Sequence, residues 1–172
     1  MSNETIATVS QKEIFIYMGL SAWKAENKKL DKLLDKLSDD QFLKETAPGR
    51  NRGIYLVGHL VAVNDDMLRV LGFGERLYPQ LHEIFIKSPD NAGLTMPSMT
   101  DLKKYWKEIN TKLMEHMDKM QPDDWFNKHA VVSAEDFAKE PHRNKLNILL
   151  TRTTHQSYHL GQLAYLDQKT AD

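Results

Sequence analysis

The chain has 172 residues, of which 41% are hydrophobic and 27% are charged. This composition predicts a single globular domain over residues 1–172 that can form a core without disulfides. The formal net charge of −1 leaves no excess of positive charge to attract a nucleic acid or an anionic membrane. Because the chain contains no cysteine, disulfides, thiolate nucleophiles and Cys-based zinc sites are excluded, and any thiol chemistry would need a small-molecule thiol.

Targeting segments are not evident in the sequence. The first eleven residues, Met1 to Gln11, lack the basic-then-apolar pattern of a signal peptide. The longest mostly apolar run, Ile54 to Val63, contains a histidine and is too short to span a bilayer. We therefore expect a soluble, cytoplasmic protein.

Four windows without proline predict four long helices, because proline breaks helices. The windows are Met1 to Ala47, Gly49 to Tyr78, Ser98 to Gln121 and His142 to Asp172. In the first three, apolar residues recur at alternating spacings of four and three, which is typical of helices packed in a bundle. These residues are Ile16, Leu20, Trp23, Leu30, Leu34 and Leu37, then Leu56, Leu60, Val63, Met67 and Val70, then Leu102, Trp106, Ile109, Leu113 and Met120.

Polar residues mark the helix ends and interrupt the first stripe. Asn51 and Asn144 are predicted N-caps of the second and fourth helices, and Ser98 caps the third. Asn27 is the only polar member of the first stripe, where it either fixes the helix register or faces a site. No window alternates with period two, so we predict no strand.

A weak internal repeat divides the chain into two helical hairpins. The segment 39–44 is echoed by 123–128, each just after a long helix; chance is the alternative explanation. The connection 73–97 is long for a bundle and contains prolines and glycines. We predict an all-α four-helix bundle with a long crossover between helices 2 and 3, and a short helix near His82 to Ile86.

The fourth helix carries polar residues where the others carry apolar ones: Arg152, His155, His159 and Gln162. Two histidines four residues apart lie on one helix face, so their ring nitrogens can converge on one cation. A zinc-type site with catalytic potential needs a third protein ligand and one open position. His59 on the second helix is the best candidate, since it lies at a similar depth if the second and fourth helices run parallel.

The segments Tyr55-Leu-Val-Gly-His59-Leu-Val-Ala and His155-Gln-Ser-Tyr-His159-Leu-Gly-Gln162-Leu resemble motifs of the DinB-like (DinB/YfiT) family. The resemblance covers nearly the whole chain in helix order. It implies a four-helix bundle that binds a divalent metal, often assigned as zinc or nickel, through His59, His155 and His159. It also implies thiol-dependent S-transfer as one known activity of the family, and frequent dimers.

The chemistry of three neutral imidazoles agrees with this implication. They leave the charge of a divalent ion uncompensated, so a bound water becomes acidic, with a pKa of roughly 7, or a thiol binds as thiolate. Gln156 follows His155 where a zinc protease of the HExxH type requires glutamate, so proteolysis is disfavoured. Asp66 lies on the face of His59 as a possible fourth ligand or orienting group; a solvated helix charge is the alternative.

Two further residues of the fourth helix are candidate substrate-binding residues. Arg152 could hold a carboxylate of a substrate or a thiol cofactor through its guanidinium group, or form an ion pair with a neighbouring helix. Gln162 could orient a ligand or a water, or form a hydrogen bond between helices. The sequence identifies no catalytic acid or base.

These observations favour a metal-dependent enzyme in which the three-His site activates water or a small thiol. Its reaction would be thiol S-transfer or hydrolysis on a small-molecule substrate, and the protein would be a homodimer that binds neither nucleic acid nor membrane. The alternative is a non-catalytic, stress-related dimeric bundle whose metal is structural or absent. Closed coordination, for example by Asp66, would favour the alternative.

Overall fold

The computed structural model describes residues 9–167 of the chain. Residues 1–8, which belong to the N-terminal segment in which no signal peptide is expected, lie outside this range. Residues 168–172, at the end of the fourth proline-free window, lie outside it as well. The described α-helices are α1 (Gln11–Lys36), α2 (Asp39–Phe42), α3 (Gly53–Val70), α4 (Met99–Met117), α5 (Ala134–Lys139) and α6 (Lys145–Leu163). A π-helical turn (Glu83–Lys87) and 3₁₀ turns (Pro122–Phe126 and Ala164–Leu166) complete the helical segments.

The described residues are all-α, as predicted, and their only β-type pairing consists of two isolated bridges. The long helices α1, α3, α4 and α6 each lie in one of the four predicted windows. α1 packs against α6, α3 packs against α4, and α3 also contacts α6. The predicted hairpins are therefore wrong, because each long helix packs mainly on long helices of the other half rather than on the one in its own half. Trp23 and Trp106, which belong to the predicted apolar stripes, are buried in this core, and so is Trp125. Within residues 9–167, no helix is both long and apolar enough to cross a membrane.

The helix starts follow the predicted caps with one exception. The Ser98 hydroxyl accepts from the amide of Asp101, and the Asn144 side chain accepts from the amide of Asn147. Asn51 does not cap α3: Arg52 occupies the N-cap position and makes no side-chain cap. The first helical amide, that of Gly53, instead donates to the carbonyl of Lys44 at 3.0 Å, and the Arg52 amide donates to a carboxylate of the crossover at 2.8 Å.

The parallel direction of the second and fourth long helices, which the comparison of depths assumed, does not hold, because α3 and α6 are antiparallel. Gly53 at the start of α3 lies against Leu166, just beyond the end of α6. At the other end, the Val70 carbonyl accepts from the amide of Ala130, in the segment that leads into α6. His59 therefore matches the depth of His155 when both are counted from this shared end.

Polar contacts attach the crossover between α3 and α4 to α3. The Asp90 carboxylate takes the guanidinium of Arg52 at 2.6 Å, and Asp65 accepts from two backbone amides of the crossover. The π-helical turn at Glu83–Lys87 lies where the sequence predicts a short helix, and its Phe85 ring is fully buried. The repeat 39–44 and 123–128 corresponds to α2 and the 3₁₀ turn Pro122–Phe126, which follow α1 and α4 respectively.

Candidate metal centre

His59 is held by α3 and by the crossover that packs on it. Its ring Nδ1 donates to the carbonyl oxygen of Phe85 at 2.8 Å. Since Nδ1 carries the hydrogen in this bond, Nε2 carries the lone pair and can ligate a metal. The Tyr55 ring stacks beside the imidazole one turn earlier on α3, and its hydroxyl donates to the Ser88 carbonyl of the crossover.

The close approach of Phe85 requires a glycine beside His59. A Cβ at Gly58 would come within 2.2 Å of the Phe85 ring, a distance that only glycine avoids. The Phe85 carbonyl therefore reaches His59 because position 58 carries no side chain. Sequence reasoning missed both residues, although Gly58 stands directly before the predicted ligand and could have indicated a close contact.

His155 and His159 lie one turn apart on α6, as predicted. The His159 Nδ1 donates to Oε1 of Gln162 at 2.7 Å, which again leaves Nε2 as the nitrogen with the lone pair. Gln162 thus orients a candidate ligand through its oxygen, and its amide nitrogen remains as a donor. The His155 Nδ1 has no hydrogen-bond partner among the described residues.

The three imidazoles meet at their Nε2 atoms. Nε2 of His155 lies 3.2 Å from that of His59 and 3.1 Å from that of His159. Two nitrogens about 2.05 Å from one tetrahedral zinc ion are separated by about 3.3 Å. A single N–H on His155 could serve only one of its two neighbours, whereas one cation can be bound by all three lone pairs. The geometry therefore fits a divalent ion better than a hydrogen-bonded cluster.

The surroundings keep these rings neutral. Burial is the main cause that lowers the pKa of His155, and repulsion of its proton by His159, His59 and Arg152 adds to it, so that together they bring this pKa to about 4. Burial also lowers the pKa values of His59 and His159, despite their hydrogen bonds to Phe85 and Gln162. Because a metal binds the neutral imidazole, these shifts leave the cluster ready to bind an ion at neutral pH.

His59, His155 and His159 are the only candidate ligands in this cluster among the described residues. Asp66 is not a fourth candidate ligand, since its carboxylate forms ion pairs with the guanidinium groups of Arg76 at 2.6 Å and of Arg69 at 3.1 Å. The three rings are half-buried, so the cluster lies between α3 and α6 and is partly open to solvent. A tetrahedral ion held here by three protein nitrogens would keep one position for another ligand.

Arg152 lies close enough to the histidines for its charge to lower the pKa values of His59 and His155. Its Nε is buried and has no partner within residues 9–167. A buried donor on a permanent cation favours a bound anion. Arg152 thus lies near the three-His cluster, and its Nε–H group is available to a ligand. It forms no ion pair with the described residues.

Comparison with known proteins agrees with this fold. A crystal structure of a conserved protein from Enterococcus faecalis matches with a TM-score of 0.60 and 13% identity, over 92% of this chain and 96% of that one. At this identity the match supports the fold alone. No curated protein matches the chain. The model of the DinB superfamily matches residues 22–163, and the chain therefore belongs to the DinB superfamily.

Proposed function

We propose that this protein is a divalent-metal-dependent enzyme on a four-helix bundle, with His59, His155 and His159 as ligands of zinc or nickel. The observation that supports it is the convergence of three Nε2 lone pairs, since Nε2 of His155 lies 3.1–3.2 Å from the other two and two of the rings are oriented through Nδ1. Such second hydrogen bonds fix the ring orientation and raise the basicity of the ligating nitrogen. Similar hydrogen bonds are typical of metal-binding histidines.

A bound divalent ion would supply an acidified water or hold a small thiol as its thiolate. The chain supplies no thiol of its own, because it has no cysteine. We therefore propose either transfer of a low-molecular-weight thiol to an electrophile or hydrolysis, and family analogy favours the transfer. In both reactions the half-buried rings of the cluster would limit access of water to one side of the reacting atoms.

Arg152 would bind the anionic part of the substrate or of the thiol. Its unpartnered Nε donor and fixed positive charge suit a carboxylate. Gln162 would orient His159 through Oε1 and offer its amide nitrogen to an oxygen of the substrate. These roles predict that affinity for a carboxylate-bearing thiol depends on Arg152 more than affinity for a neutral thiol does.

Metal analysis tests the ligand set. Untagged protein that was purified without a nickel column should contain about one divalent ion per chain. The variants His59→Ala, His155→Ala and His159→Ala should each lose this ion. His142→Ala, at an exposed histidine outside the cluster, serves as the control and should keep the ion. A stoichiometric ion that persists in the three variants would refute this ligand set.

Thiol binding tests the proposed use of the site. In cobalt-substituted protein, thiolate ligation produces a charge-transfer band, so 3-mercaptopropionate and 2-mercaptoethanol can be titrated in turn. We expect the carboxylate-bearing thiol to bind more tightly and Arg152→Ala to weaken it about tenfold, while Arg152→Lys weakens it less. The non-catalytic alternative would be favoured if the metal-loaded protein binds no thiol and accelerates neither bimane conjugation nor ester hydrolysis. In that case the only effect of the metal would be a gain in stability.

A further inference from the structure

A groove between α1 and α4 lies outside the three-His cluster. Its volume is about 880 Å³, which is within the range of small-molecule sites. α1 packs on α6 and α4 packs on α3, so α1 and α4 do not pack closely on each other. The side chains of both helices line the groove that this leaves between them. The walls include Trp23, Leu34, Trp106 and Met114, and Asn27 and Asn110 supply polar groups.

The two walls repeat one pattern. Trp23 and Asn27 on α1 have counterparts in Trp106 and Asn110 on α4, and the two asparagines are 83 residues apart. The internal repeat of the two halves accounts for this correspondence, because α1 and α4 are the first long helices of the two halves. The groove is therefore nearly symmetric. A polar group that is paired on one wall and unpaired on the other can then indicate where a ligand binds.

The two indoles differ in one hydrogen bond. Nε1 of Trp106 donates to the Asp31 carboxylate at 2.8 Å. The same offset of 83 places Met114, which cannot replace that carboxylate, at the position equivalent to Asp31. Nε1 of Trp23 is buried and has no acceptor in the described part of the chain. A buried donor without a partner costs roughly 1–3 kcal/mol, which an acceptor on a ligand would recover.

The polar groups between the walls form a connected chain of carboxamides. Asn64 and Asn27 donate to Oδ1 of Asn110 at 2.9 and 3.4 Å, and Gln156 donates to Oδ1 of Asn27 at 3.0 Å. The Gln156 Oε1 is buried and unpaired within residues 9–167. Four lysines and four acidic residues line the groove, so their charges balance and favour no net charge on a ligand.

We propose that the groove binds a neutral, amphipathic small molecule whose carbonyl accepts a hydrogen bond from the Trp23 indole. Its apolar body would lie against the indoles, Leu34 and Met114. Trp23 is fully buried, so the carbonyl reaches Nε1 only when a covering side chain yields. Met114 is half-buried, unbranched and flexible, which makes it the side chain that yields.

Benzamide is a suitable probe, because it joins a flat apolar ring to a neutral carbonyl. In ¹⁵N-labelled, zinc-loaded protein, a titration should shift the Trp23 indole N–H resonance downfield in a saturable way, and those of Trp106 and Trp125 less. Benzoate and benzylammonium test the requirement for neutrality, and toluene tests the requirement for an acceptor. All three should bind at least about tenfold more weakly or leave the Trp23 resonance unshifted.

Two pairs of variants locate the probe. Met114→Asp supplies the missing acceptor within the chain and should weaken benzamide binding about tenfold, whereas Met114→Leu should keep it. If Met114→Asp does not fold, Thr111→Phe fills the exposed mouth of the groove and should weaken binding similarly, and Thr100→Phe, exposed outside the groove, should not.

Several results would overturn the proposal. These are an unshifted Trp23 resonance, equal benzamide affinity in Met114→Asp or in Thr111→Phe, and benzoate binding as tight as that of benzamide. Loss of binding in His155→Ala would place benzamide at the three-His cluster instead. A Trp23 shift that depends on protein concentration without benzamide would assign the groove to self-association.

Discussion

The orientation of His59 depends on a residue with no side chain. Gly58→Ala places a Cβ within 2.2 Å of the Phe85 ring, so Phe85 must move and its carbonyl leaves the His59 Nδ1. We expect the free energy of unfolding in urea to fall by about 1–3 kcal/mol and zinc affinity, measured by chelator competition, to fall as well.

Gly161→Ala is the matched control for this substitution. No heavy atom lies within 4 Å of the Cβ position at Gly161, which is exposed on α6. Replacing a helical glycine with alanine there should raise the free energy of unfolding by about 0.5–1 kcal/mol. A Gly58→Ala protein with unchanged stability and zinc affinity would show that Phe85 does not position His59.

The protonation of His155 predicts how the metal-free protein responds to acid. Its pKa is about 4 in the folded chain and close to its ordinary value of about 6.5 when unfolded. Between these values the unfolded chain binds the proton and the folded chain does not. Stability is therefore complete above about pH 6.5 and falls as the pH drops towards 4.

Urea denaturation in EDTA at pH 7 and pH 5 measures this effect. The free energy of unfolding should be lower at pH 5, and His155→Phe should reduce the difference between the two pH values. His142→Phe, at an exposed side chain, should leave the difference unchanged. If stability at pH 5 equals that at pH 7, the burial of the cluster does not control its protonation.

The residue types of the cluster were predictable, but their hydrogen-bond partners were only partly so. The spacing of His155 and His159 follows from helix geometry alone, and His59 followed from the demand for a third ligand. The carbonyl of Phe85 was not predictable, because any backbone has carbonyls and only tertiary packing selects one. The capping role of Asn51 failed for the same reason, since a contact with the Lys44 carbonyl replaced a local cap.

At the scale of elements, one ion pair anchors the crossover that carries Phe85. Asp90 is buried and binds Arg52 through both carboxylate oxygens, since Oδ1 accepts from Nη2 and Oδ2 accepts from the backbone amide. Asp90→Ala leaves the half-buried guanidinium of Arg52 without this partner, so we expect a loss of about 1–3 kcal/mol in the free energy of unfolding and weaker zinc binding. Urea denaturation and chelator competition measure both.

A surface ion pair of the same crossover provides the control for Asp90→Ala. Glu83 and Lys87 are 3.4 Å apart and both side chains are more than 60% exposed. Exposed pairs contribute little, so Glu83→Gln should change stability by less than about 0.5 kcal/mol. Equal effects of the two substitutions would mean that Asp90 does not hold the crossover in place.

The long helices were predictable because their apolar spacing is a local property of the chain. Their directions were not, since the parallel arrangement was assumed for the comparison of depths. The contacts of Gly53 with Leu166 and of Val70 with Ala130 set the antiparallel direction of α3 and α6. Such contacts link distant segments, and no periodicity in either segment encodes them.

For the whole molecule, an exposed apolar surface on α1 supports the expected homodimer, which we retain as a proposal. Ile14, Phe15 and Met18 lie within about 100° on one side of α1 and are 47%, 61% and 59% exposed. Leu150 of α6 extends this surface, since it lies next to Gly19 of α1. Contiguous exposed apolar residues are typical of association surfaces.

Light scattering after size exclusion tests this homodimer. The wild-type protein should have the mass of two chains, and Phe15→Glu should have the mass of one. Leu43→Glu changes an apolar residue that is 50% exposed beyond the C-terminal end of α1 and should leave the dimer intact. A monomeric wild type, or a dimer unaffected by Phe15→Glu, would assign this surface no role in self-association.

The three histidines come from both halves of the chain. His59 belongs to the half that contains α1 and α3, whereas His155 lies 96 residues later in the half that contains α4 and α6. A nascent chain on the ribosome that has completed only its first half presents one imidazole of the set. Because affinity requires all three nitrogens at once, ion capture has to wait until α6 has been translated and has packed against α3.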